Sequence, residues 1–119
     1  MPREDRPARL RQFAQNFALF GAPVGLFFFI DRQMGPPQWS DLGMYMQTVM
    51  LLAREHGLDT CAQEAWSAWY RTVGDYLRAP PQLMLFAGMA LGYRDPDAPI
   101  NRFRTERTAL DEFAVLHGF

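Results

Sequence analysis

Lysine is missing altogether: all twelve basic residues of the chain are arginine. No side-chain amine is available for a Schiff base or for the phosphate contact of a Walker-type loop. Cysteine occurs once, as Cys61, which excludes an internal disulfide. The two histidines, His56 and His117, lie far apart, so no Cys/His zinc spacing exists. No GxSxG or HExxH motif is present. Excess charge is also lacking, with a formal net charge of −1, which argues against a dedicated nucleic-acid binder. No apolar run approaches the roughly 20 residues that a bilayer requires. The opening MPREDRPARLRQ is charged and has no apolar stretch, so it is not a signal peptide, and a cytoplasmic location is the default expectation.

What the chain does have is apolar and aromatic content. Its 119 residues are 49% hydrophobic and 14% aromatic, which predicts one folded domain. The central stretch is SDLGMYMQTVMLLAREHG, Ser40 to Gly57. Ser40 can cap a helix start, Asp41 suits the positive end of the dipole, and Arg54 and His56 suit the negative end. Gly57 can take the left-handed position that ends a helix. Leu42, Tyr45, Met46, Val49, Leu52 and Ala53 share one face, and Met44, Met50 and Leu51 fill much of the rest. A helix apolar on most sides must be buried on most sides. Either it forms the core of this chain, or it is shared with a second subunit.

Around it, Met1 to Asp5 should fray. Pro7 suits a first helical turn, and Ala8 to Phe20 carries Leu10, Phe13, Phe17 and Phe20 at helical spacing. Val24 to Ile30 and Leu83 to Leu91 are short continuous apolar runs, read as strands covered on both faces. Gly88 marks a place where a neighbour approaches closely. Leu58 to Cys61 is a short strand or an extended segment. Glu64 to Leu77 is a weaker helix. Arg32 to Trp39 and Gly92 to Phe103 read as loops from their Gly and Pro content. The tail, Arg104 to Phe119, ends in apolar residues that need a docking surface. The sum is an α+β chain with more apolar surface than a small domain can hide.

Residues able to do chemistry are few. Cys61 is expected to be a small buried apolar residue. His56 reads as a helix-end cation, His117 as a tail residue. Glu55 and Glu64 form no acid/base pair, since nothing sets their pKa values apart. Arg94, Arg102, Arg104 and Arg107, with Asn101, form either an anion site or a solvated run interleaved with Asp95, Asp97, Glu106 and Asp111. Thr60 to Glu64 is either an ordinary connection or a segment whose backbone N–H groups face an anion or a heteroatom-rich ring.

The run GAPVGLFFFIDRQMGPPQWSDLGMYMQTVMLLAREHGLDTCAQEAW, followed by ALGYRDPDAPINRFRTERTALDEF, closely resembles the C-terminal half of the nitroreductase family. The likeness spans about Phe13 to Phe119. It implies an α+β sandwich forming an intertwined homodimer, with the long helix at the interface and the tail crossing to the partner. It implies FMN at that interface, NAD(P)H as co-substrate and a nitroaromatic or quinone as acceptor, in ping-pong turnover. Cys61, Ala62, Gln63 and Glu64 would lie along the flavin ring, with the Glu64 N–H directed at the nitrogen that receives hydride. Arg107 would approach the FMN phosphate. Thr105 stands where many relatives are basic, and Ala109 where they often have Pro. Trp39, Trp66 and Tyr70 would shape the substrate slot or pack in the core. The family's N-terminal phosphate motif and flavin-contacting Asn have no counterpart in this sequence. Residues 1–119 are therefore expected to be a fragment, a truncated gene or a frame begun late, with Met1 matching an internal methionine. The alternative function is an inactive oligomerising or partner-binding remnant.

Overall fold

The computed structural model describes residues 3–118. Helix α1 spans Arg6–Ala14 and runs into a 3-10 segment, Gln15–Gly21. Strand β1 spans Val24–Asp31, helix α2 Pro36–Glu55 and strand β2 Asp59–Gln63. A second 3-10 segment, Glu64–Trp69, leads into α3, Tyr70–Leu77, and then strand β3, Leu83–Gly92. Two single-turn helices close the chain, α4 at Pro99–Arg102 and α5 at Leu110–Phe113. The α+β class expected from the sequence is the one observed.

The three strands form one antiparallel sheet in the order β1-β3-β2. β3 is central because it is the strand with the longest small and apolar run: Ala87, Gly88, Met89 and Ala90 are all buried. Phe27 pairs with Gly88 and Phe28 with Ala87, but Phe29 pairs with Leu85, so β3 carries a bulge at Phe86. Such a bulge bends the strand and increases its twist. On one face, Phe28, Ala87 and Met89 pack against Met46 of α2, with Leu26, Leu42, Val49 and Met50 around them. The opposite face holds Gly25, Phe27, Gly88, Ala90, Cys61 and Gln63, because paired residues share a face and successive residues alternate. The two 3-10 segments cover it. Phe17 and Phe27 both meet the Trp66 ring edge-on, at centroid distances of 5.3 and 5.0 Å.

The expected close approach at Gly88 is made by Trp66. A Cβ there would stand 2.9 Å from the indole Cγ. Gly57 has φ +73° and ends α2 as expected: its N–H bonds to the Arg54 carbonyl and that of Leu58 to Ala53.

The start of α2 corrects the sequence reading. Ser40 does not cap the helix. It lies inside α2, and its hydroxyl donates back to the Pro36 carbonyl at 3.2 Å. The helix begins at Pro36, where a missing N–H costs nothing because the first turn has no acceptor to offer it. Gln38 then accepts from the Gly35 N–H at 3.2 Å. The first helix is shorter than expected. After α1, the 3-10 segment carries Leu19 and Phe20 at φ +52° and +51°, a left-handed turn made without glycine. The helical spacing of Phe13, Phe17 and Phe20 carries no sign of that turn. Asp5, expected to fray, caps α1 by accepting from the Ala8 N–H at 3.0 Å. Residues 1, 2 and 119, named in the expectations for the two termini, lie outside the described residues.

Candidate functional site

β2 and the segment after it carry most of the residues singled out. β2 is an edge strand: β3 pairs with one side of it, and no described strand pairs with the other. Cys61 and Ala62 are exposed on it, which corrects the expectation that Cys61 is buried. Cys61 leans on the sheet all the same, and partial desolvation pushes its thiol up from the ordinary value. A raised pKa keeps the group as thiol, so Cys61 is not an activated nucleophile.

Gln63 is the opposite case. It is 2% exposed, and its Nε2 donates to the backbone oxygen of Asn16 at 2.9 Å and to Asn16 Oδ1 at 3.3 Å. Its side chain is thus turned into the protein interior. Glu64 opens the following 3-10 segment. As the first residue of that segment, it has an N–H with no intrahelical acceptor. The segment therefore presents small side chains and a free-standing backbone donor at an unpaired edge, a chemistry suited to a flat, heteroatom-rich ring.

Cys61 also borders an open cleft of about 630 Å³, with Leu19, Phe20, Thr60, Tyr93 and Asn101 among its walls. Arg94 lines the same cleft. Of the four arginines in the cluster, the structure brings Arg94 alone together with Cys61 there. Arg107 lies further along the tail, exposed, its guanidinium donating to the Thr105 carbonyl at 3.2 Å and to the Thr105 hydroxyl. Arg104 donates to the Asn101 and Phe103 carbonyls, each at 3.0 Å, and Arg102 pairs with Asp97 at 3.6 Å. These are local contacts of a solvated run, and no single anion site is assembled from them within this chain.

Asn16 was not a candidate from the sequence. The signal would have had to be tertiary, since it is 47 residues from the Gln63 it receives. Trp66 is packed over the sheet and Tyr70 carries the cations of Arg32 and Arg71 beside its ring, at 5.8 and 5.5 Å, while Trp39 stays exposed on α2.

The family model described as "Nitroreductase family" matches residues 1–93. The chain belongs to the nitroreductase family. Among curated nitroreductases, it is 38% identical to the 4-nitrobenzoate reductase of Pseudomonas putida over 97% of its own length and 51% of that protein's. It is 37% identical to the nitrobenzene nitroreductase of Ectopseudomonas oleovorans, over 98% and 51% respectively. The chain thus spans about half the length of the curated relatives it matches. Among solved nitroreductases, it is similar to the FMN- and NADPH-dependent NfnB of Sphigopyxis sp. strain HMH, with a TM-score of 0.93 and 47% identity over 100% of this chain and 53% of that one. The NfnB of Mycobacterium smegmatis, solved in complex with NADPH, gives a TM-score of 0.93 at 27% identity over 98% and 52%. This likeness extends over the extended tail as well as the sheet.

Proposed function

We propose that the chain serves an FMN-dependent NAD(P)H oxidoreductase acting on nitroaromatic or quinone acceptors. The carrying observation is the match of the whole chain to an FMN- and NADPH-dependent nitroreductase, with Cys61 to Glu64 set on an open sheet edge. Bound FMN would supply the redox chemistry, accepting hydride from NAD(P)H and passing the electrons to an oxidised acceptor in ping-pong turnover. The chain's own part is placement and electrostatics. Cys61 and Ala62 offer a low wall along which a flat ring can lie. The Glu64 N–H supplies a donor where negative charge develops, which needs neither a triad nor an acid/base pair. Arg107, on the tail, supplies a cation for a phosphate.

The same reading makes the functional unit a homodimer. α2 leaves Met44 and Leu51 each 62% exposed, and Tyr45 and Leu52, which the spacing grouped with the core face, 59% and 53% exposed. The tail adds Leu110, Phe113, Val115 and Leu116, all largely exposed, with Phe103 just before it. A second copy would cover both.

The test is the visible spectrum of purified protein supplied with FMN. Retained yellow colour that bleaches with NADPH supports the oxidoreductase. Protein that stays colourless overturns it and favours the second reading, an oligomerising or partner-binding remnant. That reading draws on the same exposed apolar surface, which needs a partner whether or not flavin binds. For Arg107, the expected outcome of Arg107→Ala is roughly a 10-fold or greater loss of FMN affinity, as for a charge-assisted hydrogen bond. Unchanged affinity removes its phosphate role.

A further inference from the structure

Two buried polar atoms on the covered face of the sheet have no protein partner: Gln63 Oε1 and Trp66 Nε1. One is an acceptor and the other a donor. They lie on the same face of the sheet without bonding to each other. Gln63 pairs directly with Gly88 across the β2–β3 ladder, so its side chain and the vacant Cβ direction of Gly88 share a face. Trp66 fills that direction, with Nε1 3.0 Å from where a Gly88 Cβ would stand. The carboxamide and the indole N–H therefore lie over the same point of β3. The other end of the carboxamide is already fixed, since Nε2 donates twice to Asn16.

We propose that Gln63 is a positioning residue: its buried carboxamide, anchored on Asn16, sets the direction of the Glu64 N–H. This rests on the reading of Glu64 as the flavin-facing donor. The link is mechanical. The Glu64 N–H belongs to the peptide plane that follows Gln63 Cα, and ψ of Gln63, 93°, sets how that plane is turned. A residue whose side chain is tied to Asn16 and whose strand is paired with β3 cannot rotate that plane freely. Gln63 thereby reaches the reaction through its neighbour's backbone, without touching the cofactor.

The test uses the full chain and Gln63→Met, which keeps length and unbranched shape and removes both polar ends. Hydrogen exchange is followed without flavin, and the rate constant of flavin reduction by NADPH is followed with FMN. Exchange across residues 61–66 is expected to quicken at least ~10-fold, with β1 and β3 unchanged, as for a local loss of anchoring. Flavin reduction is expected to slow by ~10- to 100-fold, the scale of a small misplacement at a reacting centre, while FMN affinity shifts less than about 5-fold. A purely structural role would lower affinity and stability together and leave the reduction rate of the bound flavin alone. Unchanged exchange across residues 61–66 overturns the proposal, and so does an unchanged reduction rate. If the parent chain takes up no FMN, the oxidoreductase reading fails, and the exchange comparison alone decides the anchor. If Gln63→Met does not fold, Gln63→Leu decides, because it also removes both bonds to Asn16 in a more compact side chain. Faster exchange confined to 61–66 in that variant supports the anchor, and unchanged exchange overturns it.

Discussion

At the scale of single residues, two glycines of the sheet make a matched pair. A Cβ at Gly88 would run into the rigid, packed indole of Trp66, whereas one at Gly25 would meet the tip of Leu19, its Cδ1 at 2.8 Å. A methyl tip can swing aside and a clamped indole cannot. Gly88→Ala should therefore destabilise by about 1–3 kcal/mol, the usual cost of overpacking, and Gly25→Ala by clearly less. Urea unfolding of both variants measures the difference, and equal losses would show that Trp66 is not held in place. Cys61 gives a second prediction. Its thiol pKa is raised, so the thiolate fraction at a given pH is lower than for a free cysteine. Alkylation by iodoacetamide should be slower than that of a model thiol at pH 8, and its rate should rise only at higher pH. Of these features, the close approach at Gly88 was legible from a glycine inside an apolar run. Its occupant was not, because Trp66 comes from 22 residues earlier in the chain and reads equally well as a slot or core aromatic. The same limit applied to Gln63. Its place beside Glu64 marked it for the site, but a one-residue parity decides whether a strand residue faces ligand or interior, and the pairing of β2 with β3 is what set that parity.

At the scale of elements, local chemistry announced some boundaries and hid others. β1 and β3 were legible as apolar runs of strand length, and the end of α2 as a basic last turn followed by glycine. The start of α2 was hidden because Gly-Pro-Pro signals a loop and also suits a helix's first turn. Only the downstream packing of Leu42 and Met46 on the sheet shows which applies. The left-handed turn at Leu19 and Phe20 was illegible for a related reason. Left-handed backbone costs about 1–2 kcal/mol per non-glycine residue, so sequence rules assign it to glycine or asparagine. Leu19 packs over Gly25, and that tertiary contact offsets the cost. The close of α2 gives the prediction at this scale. Gly57 holds φ +73° with open space around its Cβ direction, so alanine would meet no clash, only backbone strain. Gly57→Ala should cost about 1–2 kcal/mol, read as a lower urea midpoint at unchanged slope. The Arg54–Asp59 ion pair beside it is 2.8 Å long but solvated, and its removal should cost less than about 1 kcal/mol.

At the scale of the whole molecule, the chain is too open for its mass. Its Cα radius of gyration is 17.5 Å, against about 13.5 Å for a compact domain of this length. It exposes 9694 Å² of surface, where a folded monomer of 13.7 kDa should expose about 6,600 Å². The difference, about 3,000 Å², exceeds the roughly 800 Å² per partner of a standard interface. This surplus is what the apolar excess in the sequence amounts to once the chain is folded, and α2 and the tail carry a large part of it, beside exposed residues of α1, α3 and the stretch after β3. The two regions can be separated by experiment. Removing residues 104–119 leaves the sheet and its α2 core in place, because no core residue among the described residues belongs to the tail. Leu52→Glu puts a charge on α2 at a residue that the spacing grouped with Met46 but that the fold leaves 53% exposed and outside the packed core. If a second copy covers both regions, each change should weaken self-association by ~100-fold or more, as when contacts worth about 3 kcal/mol are lost. Circular dichroism should stay unchanged in Leu52→Glu and lose only the single turn of α5 on tail removal. Sedimentation velocity across a dilution series measures the shift. A parent chain that sediments as a monomer at every concentration would mean that something other than its own copy covers this surface. Tail removal without effect, beside a disrupted Leu52→Glu variant, would confine the interface to α2.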